Sequence, residues 1–296
     1  MKSSDINFTI LSTFIAVHGV TIWALWEAGF EYSYLGWALG IYTVRWLGFT
    51  CAAHRFFAHR VCRTSRTVQF LMGVWATLTM ARCPIKFASG HRHHHLYSDT
   101  NRDLHSPSRN GLLSAYIGWV ISNDYDEERL GRVGDLKRYP ELVILNRFYY
   151  VPNALLLAVL YSAGGMPALA YGGLLSTSIV WHVAFSVTVA FHRIGTPRYE
   201  TYDESRNSLI LGLLLFGEGW HNNHHANMSS CRMGERSYEI DVGYLVFLVL
   251  EKLGIVWDVN KTIGSRIYRR LEGNPTQISP QGPVFDATKA ADRYAA

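Results

Sequence analysis

The 296 residues carry a formal net charge of +5, with 49% hydrophobic and 17% charged side chains. This length admits one large domain or two small ones, and no motif supports nucleic-acid binding. The four cysteines, Cys51, Cys62, Cys83 and Cys231, form no CxxC pair, which argues against a thiolate metal site or a disulfide framework and for free thiols in a reducing compartment.

Residues 8–28 form an apolar run too long for a signal-peptide core, so it reads as a first membrane span. Residues 32–53 form a second, interrupted by Arg45. Each meets the length of about 20 residues, at a rise of about 1.5 Å, that a bilayer requires. Arg55, Arg60, Arg63 and Arg66 follow at once, and by the positive-inside rule they place this end in the cytoplasm. Residues 148–164 and 169–191 form a second apolar pair, with Arg147 before it and Arg193 and Arg198 after it. The expected fold class is an all-α integral membrane protein of four spans in two hairpins, both termini cytoplasmic. Residues 67–81, 208–216 and 244–256 are apolar but too short to span, and read as interfacial or core helices. A single membrane-embedded domain is expected over 1–272, and 273–296 reads as a loosely ordered polar tail.

Eight of the thirteen histidines fall in three clusters: His54 and His59; His91, His94 and His95; His221, His224 and His225. The second and third share the pattern H-x-x-H-H. On a helix, positions i, i+3 and i+4 lie on one face. His93 points elsewhere and is set aside. The spacing of five between His54 and His59 leaves two possibilities. Both grip one metal if the helix unwinds there; otherwise they address two. Eight imidazoles are too many for one ion, so a pair is expected. Imidazole binds Fe, Zn, Cu and Ni, and the clusters alone do not name the metal. No H-E-x-x-H hydrolase motif occurs. His54 and His192 end the second and fourth spans, which places the metals just below the bilayer.

The boxes His54-Arg55-Phe56-Phe57-Ala58-His59, Gly90-His91-Arg92-His93-His94-His95 and Gly219-Trp220-His221-Asn222-Asn223-His224-His225, with Tyr97-Ser98-Asp99-Thr100 and His105-Ser106-Pro107, resemble the membrane-bound fatty acid desaturases. Within them they resemble the stearoyl-CoA-type Δ9 branch. The resemblance runs from about Trp37 to Val259. It implies a four-span helical cap over a cytoplasmic domain holding two iron ions. It implies nine ligands: His54, His59, His91, His94, His95, His192, His221, His224 and His225. It also implies a water held by an asparagine four residues before the ligand of the fourth span, and here that position is Thr188. The implied reaction is oxygen-dependent desaturation of a fatty acyl chain carried on CoA, a carrier protein or a lipid. No haem motif of a fused cytochrome is visible, so the electron donor is expected to be a separate protein.

Further residues have two readings each. Arg45, mid-span and about 13 Å above His54, is either functional or buried against backbone carbonyls. Tyr42 and Trp46 lie where the family closes its acyl tunnel, or they simply pack. Arg147 lies where the family contacts the head group, or it flanks the membrane. Asp99, His105 and Glu218 either orient ligand imidazoles or serve their own loops and helix ends. His18 reads as a packing residue, and His182 as packing or ligand support. Competing activities are an acyl hydroxylase or acetylenase on the same scaffold, and a zinc carrier or receptor without oxygen chemistry.

Overall fold

The computed structural model describes residues 6–80, 82–123, 133–265 and 267–270; the tail expected at 273–296 lies outside them. The fold is mostly helical. Helix α1 (Phe8–Ala28) starts where Asn7 Oδ1 accepts the Ile10 amide at 3.1 Å, satisfying one of the free N–H groups of the first turn. Helix α2 (Tyr34–Leu47) runs without a break into a π-helix, π1 (Gly48–Ala58). The second apolar segment therefore continues five residues beyond its expected end at Ala53. Helices α3 (Arg66–Thr77), α4 (Pro84–Tyr97) and α5 (Pro107–Asn110) follow, then a short π-helix, π2 (Ser114–Gly118). Next come α6 (Gly134–Lys137) and α7 (Pro140–Arg147).

The second apolar pair is α8 (Val151–Pro167), π3 (Ala168–Leu175) and α9 (Ser176–Phe191). Gly164 and Gly165 leave helical geometry inside α8, at φ −147°, ψ 19° and φ 61°, ψ −150°. The second of these values suits only a residue without a Cβ. The chain reverses there, and Gly172 and Gly173 pack back against Leu160 and Leu157. Phe8–Ala28 and Val151–Phe191 are long and apolar enough to cross a membrane. Arg45 is 1% exposed and donates from Nη2 to the Gly173 carbonyl at 3.4 Å, which is the carbonyl contact anticipated for it.

Helices α10 (Leu209–Leu214), α11 (His221–Ala226) and α12 (Val242–Lys252) complete the helical part. The strands β1 (Arg63–Thr64) and β2 (Val256–Trp257) pair antiparallel, Arg63 opposite Trp257. Cys51, Cys62, Cys83 and Cys231 are all buried.

Beside the largest core cluster, which includes Phe57, Met72, Leu142 and Phe247, sits a fully buried arginine. Arg55 Nη1 lies 2.8 Å from Asp241 Oδ1 and 3.0 Å from the Cys231 carbonyl, and Nη2 lies 3.4 Å from Glu218 Oε1. Burial alone would depress its pKa; Asp241 and Glu218 push it up instead. A Cβ on Gly243 would come within 2.7 Å of the guanidinium carbon, so this glycine lets α12 approach π1. Arg55→Met should cost about 3–5 kcal/mol in reversible unfolding, because it leaves two buried carboxylates without their cation. A loss below about 1 kcal/mol would show that the clamp contributes little.

Candidate metal centre

Nine buried or nearly buried imidazoles converge in two groups. His54, His59, His91, His95 and His224 form the first, and His94, His192, His221 and His225 the second; within each group one ligand atom per residue lies within 4.8 Å of all the others. The two H-x-x-H-H motifs are each divided between the groups. Helix α4 gives His91 and His95 to the first and His94 to the second. Helix α11 gives His224 to the first and His221 and His225 to the second.

The open question over His54 and His59 is answered by the backbone. An α-helix would set residues five apart about 140° around the axis. In π1 the His59 amide donates to the His54 carbonyl at 3.2 Å, the i→i+5 bond of a π turn. This wider turn brings both rings into the first group, as local unwinding would have done.

In the first group the Nε2 atoms form a chain. His54 to His224 is 3.1 Å, His224 to His95 3.1 Å, His95 to His91 3.0 Å and His91 to His59 2.8 Å. A neutral imidazole nitrogen offers one proton or one lone pair, so these shared contacts cannot all be good hydrogen bonds. With metal–imidazole bonds of about 2.1 Å, neighbouring ligands at right angles stand about 3.0 Å apart. The donor set thus fits a metal ion better than it fits a hydrogen-bond network.

The outer nitrogens meet carboxylates. His192 Nδ1 lies 2.7 Å from Asp99, His225 Nδ1 2.6 Å from Asp203, His94 Nδ1 3.1 Å from Asp103 and His54 Nδ1 2.6 Å from Glu218. The Nε2 atoms of His192 and His225 are buried without a protein partner. A carboxylate on one ring nitrogen fixes the tautomer, orients the ring and strengthens the other nitrogen as a ligand.

Electrostatics agree with this. Burial, then the other imidazoles, holds His59, His91, His95, His221 and His224 well below the ordinary value of 6.5. They are neutral and competent to ligate. Burial would raise Asp99, Asp203 and Glu218, but hydrogen bonds and charge from His192, from His225, and from His54 with Arg55 lower all three.

Beside both groups lies a cavity of about 80 Å³ whose lining includes Phe49, Phe87, Phe185, Thr188, His91 and His221. Phe87 stacks on His91 at 5.4 Å between ring centres.

The family model described as "Fatty acid desaturase" matches residues 32–231. The chain belongs to the fatty acid desaturase family. It is 34% identical over 239 residues to the icosanoyl-CoA 5-desaturase of Limnanthes douglasii, covering 79% of this chain and 65% of that one. It is 32% identical to the sn-1 stearoyl-lipid 9-desaturase of Anabaena variabilis, over 86% of this chain and 94% of that one. It is 30% identical to the hex-5-enoyl-[acyl-carrier protein] acetylenase of Moorena producens, over 76% of each.

In this desaturase, Asp99 and Glu218 sit against His192 and His54. His105 Nδ1 is 2.8 Å from Asp103 Oδ1, one carboxylate away from His94. Thr188 lines the cavity with His94 and His221. Trp46 is fully buried, donates from Nε1 to the Leu215 carbonyl at 3.2 Å, and stacks between Tyr42 and Phe49. Trp46 and Tyr42 are not among the residues lining the cavity; Phe49 separates them from it. Arg147 is exposed at the end of α7 and stacks on Phe148, away from the cavity lining. His93 contacts the Arg102 carbonyl at 3.1 Å and belongs to neither group. His18, read as a packing residue, has its Nε2 3.1 Å from that of His182, and His182 bonds to Tyr116.

Asp103 and Asp203 were absent from the sequence reading. The one signal is an acidic residue in the loop after a candidate ligand, Asp103 after His95 and Asp203 after His192, and that is common in loops. Asp203→Asn should lower metal affinity about 10–100-fold, read by competition with a chelator, while the helical signal is preserved; unchanged affinity would remove the orienting role.

The metal-free protein should lose stability as pH falls below about 6.5. The folded pKa values of the five imidazoles lie below the unfolded one, so in that window the unfolded chain binds more protons. The associated stability is complete above pH 6.5 and declines toward the folded values. His192 shifts the other way, raised by Asp99 against the effect of burial; its contribution is gained above pH 6.5 and complete below it, so the decline in that window comes from the other five. Unfolding temperatures at pH 7.5, 6.5 and 5.5 check this, and a flat profile would contradict it.

Proposed function

We propose that the protein is an oxygen-dependent acyl-chain desaturase that introduces a cis double bond, of Δ9 type, through two iron ions. Five imidazoles (His54, His59, His91, His95, His224) would hold one iron. Four (His94, His192, His221, His225) would hold the other, with Thr188 in place to orient a water. The observation that carries this reading is the two-group convergence of nine imidazoles beside an apolar cavity, in a chain of this family. An all-imidazole donor set suits iron, and the family's chemistry requires it.

The overall conversion takes an adjacent CH2–CH2 pair, O2, two electrons and two protons to CH=CH and two waters. The bound iron pair would supply the oxidising power needed to break an unactivated C–H bond. The chain's own residues do the rest. Phe49, Phe87 and Phe185 form an apolar wall that keeps the methylenes dry and beside the imidazoles. Asp99, Asp203, Asp103 and Glu218 keep the rings aimed inward. Two single-electron transfers from a separate protein supply the reducing equivalents.

Four spans in two hairpins support the site in this reading: α1, α2 with the start of π1, α8 up to its glycine break, and π3 with α9. Both termini and the metal pair lie on the cytoplasmic side, where Arg55 to Arg66 follow the second span. Residues 1–272 act as a single domain. The acyl chain arrives on CoA, a carrier protein or a lipid; relatives named for each of the three are similar to this chain. In this reading Arg147 would contact the head group.

The acetylenase named among the relatives supports a second outcome on the same scaffold, a triple bond formed from an alkene. Lipid analysis in a host lacking its own desaturase separates the two. A new cis double bond supports desaturation and a triple bond supports the alternative. Unchanged lipids, with iron-loaded protein and a working donor, would rule out both.

The aromatic stack of Phe49, Trp46 and Tyr42 is assigned to the far limit of the chain. Trp46→Ala should shift preference toward acyl chains longer by two or more carbons, with kcat on the original substrate lowered several-fold; the same length profile as wild type would remove the assignment.

A further inference from the structure

On the other side of the first imidazole group lies a second, much larger cavity, about 1250 Å³, that shares no described lining residue with the small one. Its wall includes His59. His59 Nε2 belongs to the first group, 2.8 Å from His91 Nε2, while its Nδ1 is buried and has no protein partner. Around this ring the groove is basic. Arg60, Arg63, Arg92 and Arg138 line it, with Asp135 as the acidic lining residue among those described. Arg92 is bound to Asp135 at 2.7 Å, and Arg60 reaches the same carboxylate at 3.6 Å. Arg92 and Arg60 therefore share this carboxylate. At the rim, Arg63 is 77% exposed, 3.6 Å from the exposed Asp258, and Arg138 is exposed over the face of Tyr139. Trp257 and Ile263 add exposed apolar surface to the same wall, 44% and 55% accessible.

We propose that this groove is the docking site for an acidic one-electron carrier protein, and that His59 is the side chain through which electrons reach the metal pair. The proposal rests on the desaturase reading, which requires two electrons per turnover. Each of two reduced carriers would give up one electron and leave oxidised, and together they would reduce the two metal ions by one electron each.

Three observations select this occupant. Charge complementarity with a groove whose described lining carries four arginines and one carboxylate is what steers association between an electron carrier and its acceptor. Exposed tryptophan and arginine are the residue types that anchor protein contacts. An acyl chain entering here would have to cross the five-imidazole group to reach the small cavity, whereas an electron needs only the ring of His59.

The test uses the full-length, iron-loaded protein in detergent, with reduced plant-type [2Fe–2S] ferredoxin as probe. Binding to wild type should weaken steeply as salt is raised. The R63E/R138E variant should bind the carrier roughly tenfold or more weakly, with a shallower salt dependence. Its metal pair should still be reduced by dithionite at the wild-type rate, and its binding of stearoyl-CoA should be unchanged. Equal ferredoxin affinity for wild type and variant would overturn the proposal. So would salt-independent or absent binding to wild type, or weakened binding of stearoyl-CoA in place of the carrier. The binding and dithionite readings do not require the lipid product, so failure here is distinguishable from failure of the desaturase reading.

Discussion

Nine imidazoles must be kept buried and aimed at two points, and the rest of the architecture answers to that constraint. An imidazole brought so close to others cannot carry a proton at low cost, because burial and neighbouring positive charge both oppose it. Burial thus selects the ligating form. Aim is a separate matter, and carboxylates supply it for four of the nine. Asp99, Asp103, Asp203 and Glu218 each hold an outer ring nitrogen, and Glu218 is in turn held by Arg55 and Thr50. The arginine buried beside the largest core cluster is therefore also a support for the metal centre.

Two devices let so few backbone elements deliver so many ligands. In π1 the wider turn brings residues five apart to neighbouring positions. In α4 and α11 the helix lies between the groups, so one motif serves both. His91 and His95 are one turn apart and share the first group, while His94, between them, reaches the second. Each motif then ties the two metal positions together through a rigid helix, which fixes their separation more firmly than independent loops would.

The same packing gives the centre two unlike sides. On one, Phe49, Phe87 and Phe185 line a small cavity beside the imidazoles. On the other, arginines and His59 face a wide polar groove. An apolar chain and a charged protein would thus have separate approaches to one metal pair, each with the dielectric it prefers.

Much of this was legible in the sequence. The histidine boxes carry their spacing openly, and the apolar runs marked α1 and the α8–α9 hairpin to within a few residues. The gap left between the runs 148–164 and 169–191 falls beside Gly164 and Gly165, where the chain reverses. Asp99 and Glu218, adjacent to the boxes, could be suspected as ring supports. Other features required the tertiary structure. Nothing local in Gly48–Ala58 distinguishes a π-helix from an α-helix, because the difference is a shift of hydrogen-bond partner stabilised by what the side chains meet. Asp103 and Asp203 are ordinary loop acids until the fold sets them 3.1 Å from His94 and 2.6 Å from His225. The division of each box between two groups depends on how α4 and α11 face one another. The sequence by itself determined which imidazoles are candidate ligands and roughly where the helices run, since both follow from short-range spacing and hydrophobicity. Which imidazoles share a metal position, which carboxylate aims each ring and which side admits each partner were decided by long-range packing alone, because those contacts join residues from 9 to 170 positions apart.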